Sequence, residues 1–255
     1  MNIFITGASK GIGRELVKLL VKNGHTVWGV ARRDDLLYTL EKEIGKDHFF
    51  HTQCDVGNIK DVLETMRFIR KRSFHPDVVI LNAAIYMQDL TPHYSHRFMT
   101  EVFTTNLFGA LFWVEMFLPL VLARRSGHFI AISSTSAFRP DPGSLSLPAS
   151  KAALSMAFRS LRLRYESSKI IFSTIHFGPV ATSISPKYVS PIGRPKYPFV
   201  LTAAAAAKDI AKVIRERRSH DYFFPVLTTL IFRLTLFLPD NFFARVSRFL
   251  KKSPG

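Results

Sequence analysis

Three glycines near the start of the chain have the spacing of a phosphate-binding turn. They lie in the segment Thr6-Gly7-Ala8-Ser9-Lys10-Gly11-Ile12-Gly13, which follows a short apolar run. Glycine permits a tight turn and lets backbone N–H groups approach a pyrophosphate, whose charge the N-terminus of the next helix stabilises. The segment therefore predicts a nucleotide site between the first strand and the first helix. The alternative is a glycine-rich turn that binds no ligand.

The elements around this turn predict an α/β fold. Short apolar runs typical of buried strands alternate with longer stretches of helical period. The predicted strands are Ile3 to Thr6, Thr26 to Ala31, Phe49 to Asp55, Asp77 to Asn82, Gly127 to Ser133, Ile170 to His176 and Tyr222 to Phe224. The predicted helices are Ile12 to Lys22, Leu36 to Ile44, Ile59 to Arg72, Phe98 to Ala123, Ala149 to Ser167 and Ala203 to Arg217. This order predicts one doubly wound parallel sheet with helices on both faces, over residues 1–225.

Composition narrows the classes of protein that the chain could represent. The 255 residues are 47% hydrophobic, which is enough for a substantial core. The formal net charge of +16 favours anionic partners: a phosphorylated cofactor, a nucleic acid or an acidic membrane surface. Nucleic acid is disfavoured because the basic residues are spread along the chain and no nucleic-acid-binding motif is present. A single cysteine, Cys54, excludes an internal disulfide and a cysteine-built zinc site. We expect no cleavable leader, because the first apolar run, Ile3-Phe4-Ile5, is too short for one and is followed by Gly7. We expect a cytoplasmic protein without a metal.

Further along, the sequence resembles the short-chain dehydrogenase/reductase superfamily over about its first 225 residues. Besides the glycine turn, the matching motifs are Cys54-Asp55-Val56, Asn82-Ala83-Ala84, Asn106, Ser133-Ser134, Lys151 and Gly178-Pro179-Val180-Ala181-Thr182. Phe177 stands where the last motif of the family has proline. The resemblance implies a nicotinamide cofactor, a small alcohol or carbonyl substrate and a homo-oligomer. The cofactor contacts it implies are Gly7, Ser9, Lys10, Gly11, Ile12, Gly13, Asp55, Val56, Asn82, Ala83, Lys151, Gly178, Val180 and Thr182.

The resemblance also implies a catalytic set, from which one member is absent. Ser134 would orient the substrate oxygen, Lys151 would bind the nicotinamide ribose, and Asn106 would hold a water. The tyrosine that donates the proton in the family lies four residues before the lysine, and here that position is Leu147. Leucine has no hydrogen-bonding group. Substitute donors could be Tyr188, Tyr197 or a water held by Lys151 and Asn106.

Two other tyrosines precede a lysine by four residues, namely Tyr38 before Lys42 and Tyr165 before Lys169. The first lies in the predicted second helix and the second at the far end of the predicted helix that carries Lys151. Neither can face Ser134. Both pairs are therefore rejected as active-site candidates.

The end of the second predicted strand indicates which nicotinamide cofactor is bound. An acidic residue there would bind the ribose hydroxyl of NAD, whereas an arginine can pair with the 2′-phosphate of NADP. The sequence at this point is Ala31-Arg32-Arg33, and Lys10 adds a cation in the glycine turn. We predict NADP(H). The alternative is that these three residues are ordinary surface cations.

Two segments depart from the alternating pattern. Residues 183–201 contain four prolines, which predicts a long loop or lid. Residues 226–255 form an apolar and basic C-terminal extension, too short and too charged to span a bilayer. Between 226 and 252 its composition suits either a membrane interface or a contact with a second subunit or the substrate cleft.

Two functions remain open from the sequence. The first is an NADP(H)-dependent oxidoreductase acting on an apolar alcohol or carbonyl. The second is a protein that binds NADP(H) without catalysis, as a sensor or as a partner subunit, which Leu147 favours.

Overall fold

The computed structural model describes residues 1–86, 94–140, 144–182, 188–190, 197, 199–226, 237–239, 241, 242 and 245. Its centre is a seven-stranded sheet in the order β3-β2-β1-β4-β5-β6-β9, with every neighbouring pair parallel. The strands are β1 Asn2–Thr6, β2 Thr26–Ala31, β3 Phe49–Gln53, β4 Val78–Leu81, β5 Gly127–Ser134, β6 Ile170–Phe177 and β9 Asp221–Phe224. The predicted doubly wound α/β fold is confirmed.

Helices cover both faces of the sheet and connect its strands. They are α1 Gly11–Lys22, α2 Asp34–Ile44, α3 Ile59–Lys71, α4 His96–Phe103, α5 Gly109–Arg124, α6 Ser146–Arg164 and α7 Ala203–Glu216. Apolar residues of α1, α2 and α7 pack on one face, and those of α3, α5 and α6 pack on the other. Two separate hydrophobic layers therefore enclose the sheet, as a parallel sheet requires.

Most predicted boundaries agree with the structure within two residues, and three predicted segments differ from it in a larger way. The single predicted helix Phe98 to Ala123 begins at His96 and is interrupted by a π-turn at Thr104–Phe108. The helix predicted from Ala149 begins at Ser146 and ends at Arg164, followed by a short 3₁₀ turn, Glu166–Ser168. Leu201, placed in the predicted lid, belongs to a two-residue strand, β8 Leu201–Thr202, which pairs with β7 Val180–Ala181. The pairing joins the two ends of the lid segment, and most of the lid itself lies outside the described residues.

One stretch of helix in the described part of the chain is apolar enough to cross a membrane, by length and composition only. It runs over His96–Arg124 and includes the π-turn. Its residues Trp113, Phe117 and Val121 are buried against the sheet in the second hydrophobic layer. The stretch thus packs as a core helix of the α/β fold.

Candidate active site

The glycine turn between β1 and α1 is held by backbone hydrogen bonds to the neighbouring strand. The N–H groups of Gly7 and Ala8 both donate to the carbonyl of Val30, at 2.8 and 3.1 Å. Gly7 and Gly11 have φ of +71° and +55°, in the region that glycine adopts most easily. No side chain of the described residues caps the start of α1, and its first turn contains no acidic residue. The helix N-terminus is therefore available to an anion.

Asn82, at the end of β4, fixes the shape of this turn. Its amide Nδ2 donates to the carbonyls of Thr6 and Gly7 at 3.0 and 3.2 Å. The N–H groups of Asn82 and Ala83 both donate to Oγ1 of Thr6 at 3.0 Å. A Cβ added to Gly7 would lie 2.9 Å from the Cα of Ala83. The structure thus brings together three predicted residues, and it adds Thr6, whose role in accepting these bonds the sequence did not reveal.

The segment after β6 also reaches the glycine turn. Val180 pairs with Leu201, and the N–H of Gly178 donates to the carbonyl of Phe224 at 2.8 Å. A Cβ added to Gly11 would lie 3.3 Å from Cγ2 of Thr182. The predicted residues at 178–182 therefore border the same site from the opposite side. Of the remaining turn residues, Ser9 is buried, Lys10 is exposed and Ile12 packs against the core.

A cavity of about 510 Å³ lies between the carboxyl ends of β2 and β3 and helix α3. It is lined by Arg32, Asp34, Thr52, Gln53, Asp55, Asp61, Glu64, Thr65 and Phe68. Arg32 and Asp55, predicted from separate motifs, share this lining, and Arg33, which is exposed like Arg32, precedes α2 and is not among the lining residues. Gln53 Nε2 donates to the carbonyl of Arg32 at 2.9 Å. No motif in the sequence pointed to Gln53.

Val56, predicted as a cofactor contact, is buried under α5. A Cβ added to Gly109 would lie 2.6 Å from the Val56 carbonyl oxygen, which explains why the first residue of α5 is glycine. Val56 therefore has a packing role in the structure, and its contact with a cofactor stays a prediction.

Lys151 is on α6, and its side chain reaches the carboxyl end of β5. Its Nζ donates to the carbonyl of Ile132 at 2.7 Å, and only 5% of the residue is exposed. Burial in this position lowers the pKa of the Lys151 ammonium to about 8. A lysine with such a pKa exchanges protons near neutral pH far more readily than an exposed one.

The two serines that end β5 differ in their surroundings. Ser133 is buried, and its Oγ bonds the Lys151 carbonyl at 3.3 Å and Ser155 Oγ at 2.8 Å. Ser134 is half-buried, and its Oγ accepts a hydrogen bond from the N–H of Ser136 at 3.1 Å. That bond uses a lone pair of Ser134 and leaves its hydroxyl hydrogen for another acceptor. Of the two, Ser134 is the better placed to donate to a substrate oxygen.

Asn106 occupies the π-turn, and its side chain makes three hydrogen bonds to protein groups. Oδ1 accepts from the N–H of Ile85 at 2.8 Å, while Nδ2 donates to the Ile85 carbonyl at 3.1 Å and to Ser150 Oγ at 3.2 Å. Ser150 Oγ in turn donates to the carbonyl of Leu147 at 2.9 Å. Asn106 therefore ties the segment after β4 to α6. The water that the resemblance implies at Asn106 stays a prediction.

Leu147 is half-buried on α6, one helical turn before Lys151. The rejected tyrosines lie elsewhere: Tyr38 is exposed on α2 under Lys42, and Tyr165 stacks on Phe172 near the start of β6. Because β5 and β6 are parallel, the start of β6 lies at the amino ends of the strands, whereas Ser134 lies at their carboxyl ends. Of the lid tyrosines, the ring of Tyr197 stacks on Phe199 with centroids 5.5 Å apart.

Comparison with known proteins places this arrangement in a family. A family model described as short chain dehydrogenase matches residues 1–192. The chain is 28% identical over 184 residues to a 3-oxoacyl-(acyl-carrier-protein) reductase of Buchnera aphidicola, covering 72% of this chain and 75% of that protein. It is 30% identical over 194 residues to a farnesol dehydrogenase of Aedes aegypti, covering 72% and 79%.

Among solved structures, the closed form of a serine dehydrogenase complexed with NADP⁺ superimposes with a TM-score of 0.78 at 22% identity. The match covers 88% of this chain and 94% of that one, and it shows a shared fold. The motifs of the glycine turn, Asn82, Asn106 and Lys151 all lie within the residues that the family model matches. The chain belongs to the short chain dehydrogenase family.

Proposed function

We propose that this protein is an NADP(H)-dependent oxidoreductase that acts on an apolar alcohol or carbonyl. The observation that carries the proposal is the uncapped N-terminus of α1 behind the glycine turn, with Arg32 just after the neighbouring strand β2. Ser134 ends β5, and Lys151 reaches the same strand from α6. Because these groups all lie near the carboxyl ends of parallel strands, the arrangement supports a dinucleotide and a substrate oxygen bound side by side.

The residues present fit this cofactor. The uncapped start of α1 and the glycine turn suit the pyrophosphate, and Arg32 suits the 2′-phosphate. Lys10 is exposed beside the turn and adds positive charge. The complex of the similar serine dehydrogenase with NADP⁺ supports this choice. The farnesol dehydrogenase relative supports an apolar alcohol as the substrate class.

Three residues of this protein, Ser134, Lys151 and Leu147, surround the predicted substrate position and have different roles. A bound nicotinamide supplies or accepts a hydride. Ser134 donates its free hydroxyl hydrogen to the substrate oxygen, and Lys151 holds positive charge close to it, since its Nζ bonds Ile132 two residues earlier on β5. Leu147 adds apolar surface but no proton, and a positioned general acid contributes about 10²- to 10⁴-fold to a rate. We expect slow reduction of simple ketones.

The test compares the native chain with Leu147→Tyr. Calorimetric titration should show NADPH binding to both proteins, and Leu147→Tyr should raise the rate of ketone reduction by about 10²-fold or more. Leu63→Tyr, a change at an exposed leucine on α3, is the matched control and should leave the rate unchanged. NADPH binding with turnover only in Leu147→Tyr would establish the non-catalytic alternative for the native chain. The absence of NADPH binding to folded protein would overturn both functions.

The same proposal includes two contacts at the surface. We propose that residues 226–252 contact the cytoplasmic face of a membrane.

Exposed apolar residues on the π-turn and α6, namely Phe108, Met156 and Leu163, support a homo-oligomer. Equilibrium sedimentation of the native chain tests the second contact, and a monomer at all concentrations would exclude it.

A further inference from the structure

The C-terminal extension begins at the carboxyl end of the sheet, where the candidate active site lies. It follows β9, whose carboxyl end lies beside that of β6 because the two strands are parallel. The N–H of Gly178 donates to the carbonyl of Phe224, and a Cβ on Gly178 would lie 3.5 Å from Cδ of Pro225. The extension thus begins next to the segment that borders the predicted cofactor site.

Leu238, further along the extension, lies near the candidate substrate site at the same end of the sheet. Nη2 of Arg139 donates to the carbonyl of Leu238 at 2.9 Å, and Arg139 is buried. Arg139 directly follows the 3₁₀ turn Thr135–Phe138, which begins after Ser134. The ring of Phe138 packs on His176 of β6, with centroids 4.8 Å apart. Arg139 therefore joins the extension to the loop that positions Ser134.

Apolar side chains flank this anchored point and face solvent. Phe237 is 86% exposed and Phe242 is 53% exposed, although their neighbour Leu238 is bonded to the domain. Arg245 is also exposed, and the sequence continues with Arg248, Lys251 and Lys252. Exposed aromatic residues beside cations are typical of a segment that lies in the interface of an anionic membrane. The formal charge of +16 adds to the attraction for such a surface.

We propose that Phe237 and Phe242, with the cations of the C-terminal extension, bind an anionic phospholipid surface, and that Arg139 holds Leu238 beside the loop that follows Ser134. An apolar substrate then reaches Ser134 from the lipid phase. Arg139 is a positioning residue in this arrangement. The lipid binding deepens the membrane contact of the proposed function, and the substrate delivery rests on the proposed activity. Vesicle binding and hydrogen exchange test the lipid contact and the role of Arg139 without any turnover.

The first experiment measures co-sedimentation with phosphatidylcholine vesicles that contain or lack phosphatidylserine. The native chain should bind only the anionic vesicles, and Phe237→Ser/Phe242→Ser should weaken binding by about tenfold or more. Tyr38→Ser, an exposed aromatic change on α2, is the matched control and should bind like the native chain. Equal binding by the double variant would overturn the proposal. So would a shift of the double variant from dimer to monomer without vesicle binding by the native chain, because the aromatic residues would then form a subunit contact.

The second experiment tests Arg139 by hydrogen exchange of the amides at 237–242. Arg139→Leu should speed this exchange, and Arg139→Lys, which keeps a donor for the Leu238 carbonyl, should restore most of the protection. With an apolar ketone carried in anionic vesicles, Arg139→Leu should raise KM several-fold while kcat and NADPH affinity stay unchanged. Unchanged exchange in Arg139→Leu would overturn the positioning role. If the native chain shows no turnover, the proposed function fails, but exchange and co-sedimentation still decide this inference.

Discussion

The glycine turn and the segment that begins at Ser134 and ends at Leu147 both follow the carboxyl ends of parallel strands. They differ in whether their polar groups have hydrogen-bond partners. At the glycine turn, the N–H groups of Gly7 and Ala8 bond Val30, and Asn82 bonds the turn through its amide. In the second segment, the hydroxyls of Ser136, Ser144 and Ser146 are buried without a hydrogen-bond partner among the described residues. Unpaired buried hydroxyls are uncommon because each costs stability.

This difference shows which parts of the site depend on individual side chains. The anion site is built from backbone N–H groups and a helix N-terminus, so it survives most sequence change provided that its glycines remain. The substrate side depends on particular hydroxyl, ammonium and phenol groups. Replacement of tyrosine by leucine can therefore remove a proton donor while the fold and the cofactor turn persist.

The largest effect should come from Gly7→Ala, which would disrupt the hydrogen-bonded glycine turn. The added methyl group would have to adopt φ near +71° and would lie 2.9 Å from Ala83 Cα and Asn82 Nδ2. We expect the free energy of unfolding to fall by about 3 kcal/mol. NADPH affinity should fall by about 100-fold, by calorimetry on folded protein.

Gly24→Ala is the matched control for that change, because Gly24 has φ of +77° but nothing within 4 Å of the added methyl group. Gly24→Ala should lower the free energy of unfolding by about 1 kcal/mol and leave NADPH affinity unchanged. Equal losses in the two variants would show that the contacts around Asn82 contribute nothing.

Acid should destabilise the fold through two buried histidines, His128 near the amino end of β5 and His176 near the carboxyl end of β6. Burial lowers the pKa of His128 on β5 to about 3 and that of His176 on β6 to about 4. Between pH 6.5 and these values the unfolded chain binds more protons than the folded one, so stability falls as the pH falls. From pH 7.5 to 5, each histidine should lower the free energy of unfolding by about 2 kcal/mol.

Urea unfolding at both pH values, with His128→Gln and His176→Gln, measures this loss. Each variant should lose less stability between the two pH values than the native chain does. A variant with the same pH dependence as the native chain would show that its histidine is protonated in the folded state.

Arg32→Ala tests the cofactor end of the site more finely. Loss of a charge-assisted contact with the 2′-phosphate should weaken NADPH binding by about tenfold or more and leave NADH binding unchanged. Lys22→Ala is the control, because Lys22 is an exposed cation in the last turn of α1, at the other end of that helix from the glycine turn. Calorimetric titration of both cofactors measures the effect. Equal losses in the two variants would mean that general surface charge, and not Arg32, selects the cofactor.

The smallest effect should come from Ser146→Ala, at a residue that is 1% exposed. Removing an unpaired buried hydroxyl should raise the free energy of unfolding by about 0.5 to 1 kcal/mol. Ser150→Ala, which removes a hydroxyl bonded to Asn106 and Leu147, should instead lower it by about 1 kcal/mol. Thermal and urea unfolding compare the two. If Ser146→Ala is destabilising, its hydroxyl has a partner in solution, and reduced substrate affinity in that variant would identify the partner as substrate.

Much of the fold was predictable because strand and helix periods are local properties of the chain. The predicted strands all exist, within two residues at each end. The π-turn at Asn106 was not predictable from local pattern, and the contacts that Asn106 makes there, with Ile85 and Ser150, are with residues distant in sequence. The same reason explains the missed roles of Thr6 and Gln53, whose bonding partners lie on other strands.

By itself the sequence determined the glycine turn, the order of strands and helices, and the absence of a phenol at position 147, since each depends only on local residue types. Only the tertiary structure decided that Arg32 and Asp55 line one cavity, that Asn106 makes three hydrogen bonds to protein groups, and that Arg139 bonds the chain at Leu238. Those contacts join residues far apart in the chain, and packing of the complete sheet is what brings them within hydrogen-bonding distance.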